Sequence, residues 1–184
     1  MKVGIDALER MGIPKNHWEV SWDAIPRELP HKRTILNYAI TISASIQEGT
    51  GFYLHGEYGV GKSALAALLL RTAASCGHIG YWVRARSLPE YIIKDVMFDE
   101  EMTVSLRCLT VPLLVIDEFQ LVGASGFTEY TTEELIRMRL DDMKSTIVTS
   151  NVDPITLHAK YPAMASACRE KLQALKIQGH NFRG

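Results

Sequence analysis

The chain has 184 residues, 47% hydrophobic and 22% charged, and its 20 Lys and Arg against 21 Asp and Glu leave a net charge of −1. Length and composition fit one globular domain with a real core. The near-neutral charge excludes a protein that coats nucleic acid by bulk charge alone and leaves room for a local basic groove. Met1 to Arg10 includes acidic residues and no apolar centre, so no signal peptide is expected. No stretch approaches the roughly 18 apolar residues of a membrane span, so a cytoplasmic protein away from membranes is expected. Cys76, Cys108 and Cys168 lie far apart without CxxC spacing, which fits reduced, buried thiols.

Residues 1–30 hold Pro14, Pro26 and Pro30 with Trp18 and Trp22. Proline at this density argues against a long helix, so an ordered N-terminal arm is expected, its tryptophans either anchored on the core or offered to a partner. Residues 31–184 read as a single α/β domain. His31 to Glu48 places Ile35, Leu36, Ala39, Ile40, Ile42, Ser43 and Ile46 at helical spacing, closed by Gly49.

Next comes a short apolar run, Phe52-Tyr53-Leu54-His55, then Gly56-Glu57-Tyr58-Gly59-Val60-Gly61-Lys62-Ser63, which opens into an apolar, Ala/Leu-rich stretch from Ser63 through Ala64 to Cys76. That is strand, glycine loop and helix in the order that the phosphate-loop pattern G-x-x-x-x-G-K-[ST] requires. Gly56, Gly59 and Gly61 permit positive φ and bring backbone N–H groups close to phosphate oxygens. The helix N-terminus adds partial positive charge. Lys62 is expected to reach the β- and γ-phosphates and the Ser63 hydroxyl to ligate Mg²⁺. The six histidines show no ligand spacing, so metal is expected to arrive with the nucleotide.

Gly77 ends that helix, and Ile79 to Val83 reads as a second strand. Ser87-x-x-Glu90 caps a helix to about Met97, and Asp99 to Arg107 is a polar interval. Val111 to Ile116 is a third strand ending in Asp117-Glu118. Gly123 to Thr128 reads as a loop, and Thr131-x-x-Glu134 as the cap of a helix to about Met143. Thr146 to Thr149 is a fourth strand ending at Ser150-Asn151, followed by Asp153-Pro154 as N-cap and first helical residue. A short helix around Ala163 to Gln173 precedes a fifth strand, Ala174 to Ile177. Alternating strands and helices imply an α/β, mostly parallel sheet covered on both faces.

Leu113 to Glu118 has the form of a Walker B segment: a buried central strand with carboxylates at its carboxyl end, where ligands of open α/β sheets bind. Asp117 is expected to hold Mg²⁺ through water, and Glu118 to orient and deprotonate an attacking water. The Asn151 amide either touches the γ-phosphate or that water, or is a turn asparagine before a capped helix. This set indicates hydrolysis; a nucleotide kinase is the competing enzyme class. Tyr81, Trp82, Arg84, Arg86, Tyr91 and Lys94 mix basic and aromatic groups, either a single-strand DNA contact or, for Trp82, core.

Taken together, these segments resemble the AAA+ ATPases of the DnaC/DnaI helicase-loader and IstB type. GEYGVGKS, LLVIDEF at 113–119 and TIVTSN at 146–151 match that family's Walker A, Walker B and sensor 1 in order and spacing. Gly12-Ile13-Pro14 is similar to the segment before its ATPase core, and CREKLQALKIQGHNFR to its closing stretch. The resemblance implies a five-stranded AAA+ core that hydrolyses ATP with Mg²⁺ and oligomerises head to tail on single-stranded DNA. It implies a helicase loader in DNA replication with a replicative DNA helicase as partner; the alternatives are an IstB-like helper of a transposase and a nucleotide-gated adaptor with negligible turnover. By motif, Arg169 is the candidate arginine finger completing a neighbour's site, with Arg183 second; a solvated helix charge is the other reading of Arg169. Arg139 sits where the family commonly carries an arginine late in a helix, and is otherwise surface decoration. The chain departs from the family in the short arm, where a separate domain is usual, and in little or no C-terminal lid, which together imply a minimal version.

Overall fold

The structure, a computed structural model, describes residues 3–26, 28–97, 103–120 and 126–179. Five short runs rich in Val, Ile, Leu and aromatics form one sheet: β1 (Gly51–His55), β2 (Gly80–Arg84), β3 (Leu113–Phe119), β4 (Ser145–Ser150) and β5 (Leu172–Lys176). They pair in parallel in the order β2-β3-β4-β1-β5, the α/β architecture expected. Side chains alternate across the pleat. Phe52, Leu54, Leu113, Val115 and Ile147 enter one core, while Tyr53, Leu114, Ile116 and Val148 enter the other.

The first core is closed by the arm with α1 (Ile5–Arg10), by α2 (Lys32–Ile40) and α3 (Ile42–Gln47), and by α4 (Lys62–Ser75). The second lies under α5 (Leu88–Met97), α6 (Val104–Thr110), α7 (Gly126–Asp141), α8 (Pro154–Lys160) and α9 (Pro162–Lys171). Trp18 and Trp22 pack against the first core, the anchoring use expected of them. The Arg71 Nη1 donates to the Val20 carbonyl, and the backbone N–H of Trp82 on edge strand β2 donates to the Met11 carbonyl, so the arm is pinned at both places. Covered this way, α4 is buried on nearly all sides, from Leu65 through Leu70.

Three expectations need correction. The helix read from His31 to Glu48 breaks at Thr41, whose hydroxyl bonds back to the Asn37 carbonyl. Ile42 is fully buried, as that reading expects, but Ile40 is left 80% exposed, against it. The interval Asp99 to Arg107 contains the start of α6, whose Thr103 side chain accepts from the Leu106 N–H. Finally, α7 begins at Gly126, so Thr131 does not cap it; Thr131 and Thr132 are buried within the helix. The part of the expected loop at 123–125 lies outside the described residues.

Candidate functional site

In a parallel sheet every strand ends on the same side, so the segments leaving β1, β3 and β4 meet at one edge. The loop after β1 carries Gly56 at φ 147°, Gly59 at 78° and Gly61 at 92°, as its glycines led one to expect. At Gly56 a Cβ would collide with the Ile177 carbonyl, so only glycine fits. Gly61 opens α4, and the first turn of that helix presents its free N–H groups beside Lys62 and Ser63.

Lys62 is 8% exposed. Its ammonium donates to the Gly56 carbonyl at 2.9 Å, the Glu57 carbonyl at 2.6 Å and Asn151 Oδ1 at 2.9 Å. Since the Asn151 oxygen faces the lysine, its NH₂ group is turned elsewhere. Ser63 Oγ donates to Asp117 Oδ1 at 2.7 Å. Asp117 is 4% exposed and takes a second bond on the same oxygen from Thr149 Oγ1 at 2.6 Å. The loop, the first acid and the fourth strand are therefore linked hand to hand.

The two acids are not on an ordinary strand. Pairing runs Ile116 to Val148 and then Phe119 to Ser150, so Asp117 and Glu118 together face the single residue Thr149. This is a β-bulge, with Glu118 in the left-handed region at φ 59°. On a regular strand successive side chains point to opposite faces; the bulge lets Asp117 meet Ser63 while Glu118 lines the adjoining cavity. Thr149 was not singled out in the sequence. A threonine inside an apolar strand reads as a β-branched filler, and only its place beside the acids distinguishes it.

The cavity encloses about 400 Å³ and is bounded by Tyr58 to Ala64, by Glu118 and by Thr149 to Asn151. Its remaining wall is Gln120 and the arm, through Asn16, His17, Val20 and Ala24. Tyr58 is 68% exposed at the rim and Val60 is buried. Below it, His55 is half-buried, and its pKa is lowered chiefly by that burial, with Asp153 pulling the other way and Lys176, Lys62 and His31 adding to the lowering. Ser63 Oγ and Asp117 are hard oxygen donors of the kind magnesium takes, with other positions left to phosphate and water. Among the described residues no group of three or more His, Cys, Asp or Glu side chains could hold a metal by itself.

The arginines separate. Arg169 is exposed on α9, 3.4 Å from His158 Nδ1, and does not line this cavity. Arg183 lies outside the described residues. Arg139 is neither surface decoration nor free to act on a neighbour: it is fully buried, donating to Thr146 Oγ1 and to the carbonyls of Cys108, Leu109, Val111 and Ser145. Its partners lie where β3 and β4 begin, at the far end of the sheet. The basic-aromatic group around β2 is not one surface either. Trp82 is core, the Arg107 guanidinium covers Tyr81 at 4.8 Å, and Lys94 pairs with Glu90, leaving Arg84 and Arg86 exposed. No described helix is long and apolar enough to cross a membrane.

No family model matches the chain. Over 137 residues, 71% of this chain and 42% of the relative, it is 25% identical to the replicative helicase loader DnaI of Bacillus subtilis (strain 168). The chain thus spans less than half the length of that relative. Its fold is similar to the crystal structure of the DnaC helicase loader, at a TM-score of 0.77 and 22% identity over 90% of this chain and 100% of that one. It is also similar to the replication initiator DnaA bound to AMPPCP and single-stranded DNA, at 0.65 and 17% identity over 86% of this chain and 49% of that one.

Proposed function

We propose that this chain, DnaC/DnaI-like on an AAA+ fold, binds ATP with Mg²⁺ in the cavity between Gly56–Ala64 and Asp117–Glu118, hydrolyses it, and acts as a helicase loader in DNA replication. One observation carries the reading: Lys62, Ser63, Glu118 and Asn151, from three separate strand ends, line one cavity, and Asp117 is bonded to Ser63 beside it. The backbone N–H groups of residues 56–64 would cradle the phosphates. Lys62 would exchange its carbonyl partners for β- and γ-phosphate oxygens, which carry full negative charge where carbonyls carry only dipoles. Magnesium, when bound, would neutralise charge building on the phosphoryl oxygens; Ser63 would hold it directly and Asp117 through water. Glu118 would orient the attacking water and take its proton, and the Asn151 NH₂, once Lys62 turns to phosphate, would be able to follow the γ-phosphate. The base would lie against Asn16, His17, Val20 and Ala24, making the arm part of the nucleotide site.

The described cavity wall holds no arginine, and a finger supplied in trans by Arg169 of a neighbouring copy, in a head-to-tail assembly on single-stranded DNA, would complete it. The likeness to DnaI and DnaC favours a replicative helicase as partner over a transposase. Glu118→Gln tests the hydrolytic part: nucleotide affinity should persist while turnover drops on the order of 100-fold or more. Unchanged turnover would remove Glu118 as the base, and a wild-type chain that binds but never turns over would make the protein a nucleotide-gated adaptor.

A further inference from the structure

Thr149 lies within the TIVTSN stretch but carries no assigned role there; it is 1% exposed and touches both acids at once. Its hydroxyl donates its proton to Asp117 Oδ1 at 2.6 Å and accepts the Glu118 backbone N–H at 3.0 Å. A bulge leaves one residue without a ladder partner. Here Glu118 is that residue, and the Thr149 side chain does what the strand backbone cannot. Left-handed φ at a non-glycine residue is unfavourable and persists only where surrounding contacts over-determine it. The hydroxyl uses its donor on one acid and a lone pair on the backbone of the next, so a single oxygen fixes the spacing of the pair.

We infer that Thr149 is a positioning residue for the Mg²⁺-nucleotide site: it pins the Asp117–Glu118 bulge, so that Asp117 faces the ion and Glu118 the water without rearrangement when nucleotide binds. The inference rests on the ATP reading above. Two consequences follow from the contacts. Without the donor, Asp117 keeps only Ser63, whose hydroxyl is also wanted by the ion, so Mg²⁺ should bind more weakly. Without the acceptor, the Glu118 N–H is left unpaired and the backbone is free to relax out of its left-handed turn, so water attack should slow.

The test compares wild type, Thr149→Val, which keeps the shape and loses the hydroxyl, and Thr149→Ser, which keeps the hydroxyl. A fluorescent ATP analogue is titrated in EDTA and across a MgCl₂ series, and turnover is measured at saturating Mg²⁺. Thr149→Val should bind the metal-free analogue like wild type, need roughly tenfold more Mg²⁺ for half its metal-dependent gain, and lose on the order of 30-fold in kcat with KM little changed. Thr149→Ser should recover both to within about threefold, an outcome that a purely packing role would not produce. If Thr149→Val matches wild type in Mg²⁺ dependence, or if serine fails as badly as valine, the positioning role is overturned while the nucleotide site stands. If wild type itself binds no analogue, the nucleotide reading fails first and the assignment with it. A wild type that binds without turnover still tests the role through its Mg²⁺ series.

Discussion

Lys62 and Arg139 are both long cations withdrawn from water at opposite ends of one sheet, and neutral oxygens hold each of them. The comparison shows what makes a buried charge available for work. Arg139 spends all three guanidinium nitrogens on oxygens that belong to the fold: the last carbonyls of α6, Val111 beyond it, and the first residues of β4. Helix carbonyls at a C-terminus lack intrahelical donors and carry partial negative charge, so the guanidinium serves as a cap where no side chain of α6 reaches. Burial lowers its pKa to about 10, the Cys108 and Asp142 charges opposing that, so it stays protonated at neutral pH. Lys62, by contrast, is a point charge with rotatable donors, and its oxygens come from a glycine loop and one amide that border an open cavity. The first arrangement is closed; the second borders a cavity that an anion could enter.

The largest effect is expected where the closed arrangement is broken. Arg139→Ala strands a set of buried carbonyls and should cost on the order of 3–5 kcal/mol of folding stability, and Arg139→Lys should recover little because one ammonium cannot span the fork. Lys62→Met, read by the same urea titration, should change stability by less than about 1 kcal/mol, since its oxygens can turn to solvent in the cavity. Equal losses in the two variants would erase the distinction between a structural and a recruitable cation.

Next in size is ligand binding. Removing the Lys62 ammonium should take away a charge-assisted contact of roughly 1.5–3 kcal/mol, about 10- to 150-fold in triphosphate affinity. Diphosphate should lose less than triphosphate if the lysine spans β- and γ-phosphates. Isothermal titration with both nucleotides decides it; equal affinity of Lys62→Met and wild type for ATP would sink the phosphate-loop assignment.

The same pair shows why some of the molecule was readable beforehand. Phosphate binding demands glycine at positive φ and a lysine at the helix start, and coordination demands acids at a strand end, so Gly56–Ser63 and Asp117–Glu118 announce themselves by residue type and spacing. Arg139 did not, because an arginine in Arg137-Met138-Arg139 looks solvated on composition alone. Periodicity held a signal: Thr132, Ile136 and Arg139 fall at helical spacing on one face, and all three are fully buried. Thr149 was invisible for another reason. Its role depends on a one-residue bulge in its neighbour, and a strand apolar on both faces from Leu113 to Ile116 has no alternation whose interruption would announce the bulge at Asp117-Glu118. The break at Thr41 and the short α6 are likewise decided by packing against the rest of the chain, which outweighs local propensity over so few residues.

The smallest effect is a titration that senses Lys62 from the outside. His55 lies below its usual pKa mainly because it is half-buried; Asp153 raises it, while Lys176, Lys62 and His31 lower it. A folded-state value below the unfolded one means the unfolded chain binds the extra proton first as pH falls, so this group's contribution is intact above about 6.5 and declines as pH drops toward the folded value. Lys62→Met removes one repelling charge and should move the His55 pKa upward, and Asp153→Asn, which removes an attracting one, should move it further down. Arg139→Ala, at the other end of the sheet, should leave it where it is. Imidazole Cε1 shifts followed by NMR across pH 4.5–8 would read all three. A His55 that ignores both Lys62 and Asp153 would mean that burial alone sets its pKa, and that the charge of Lys62 is already neutralised locally by the oxygens holding it.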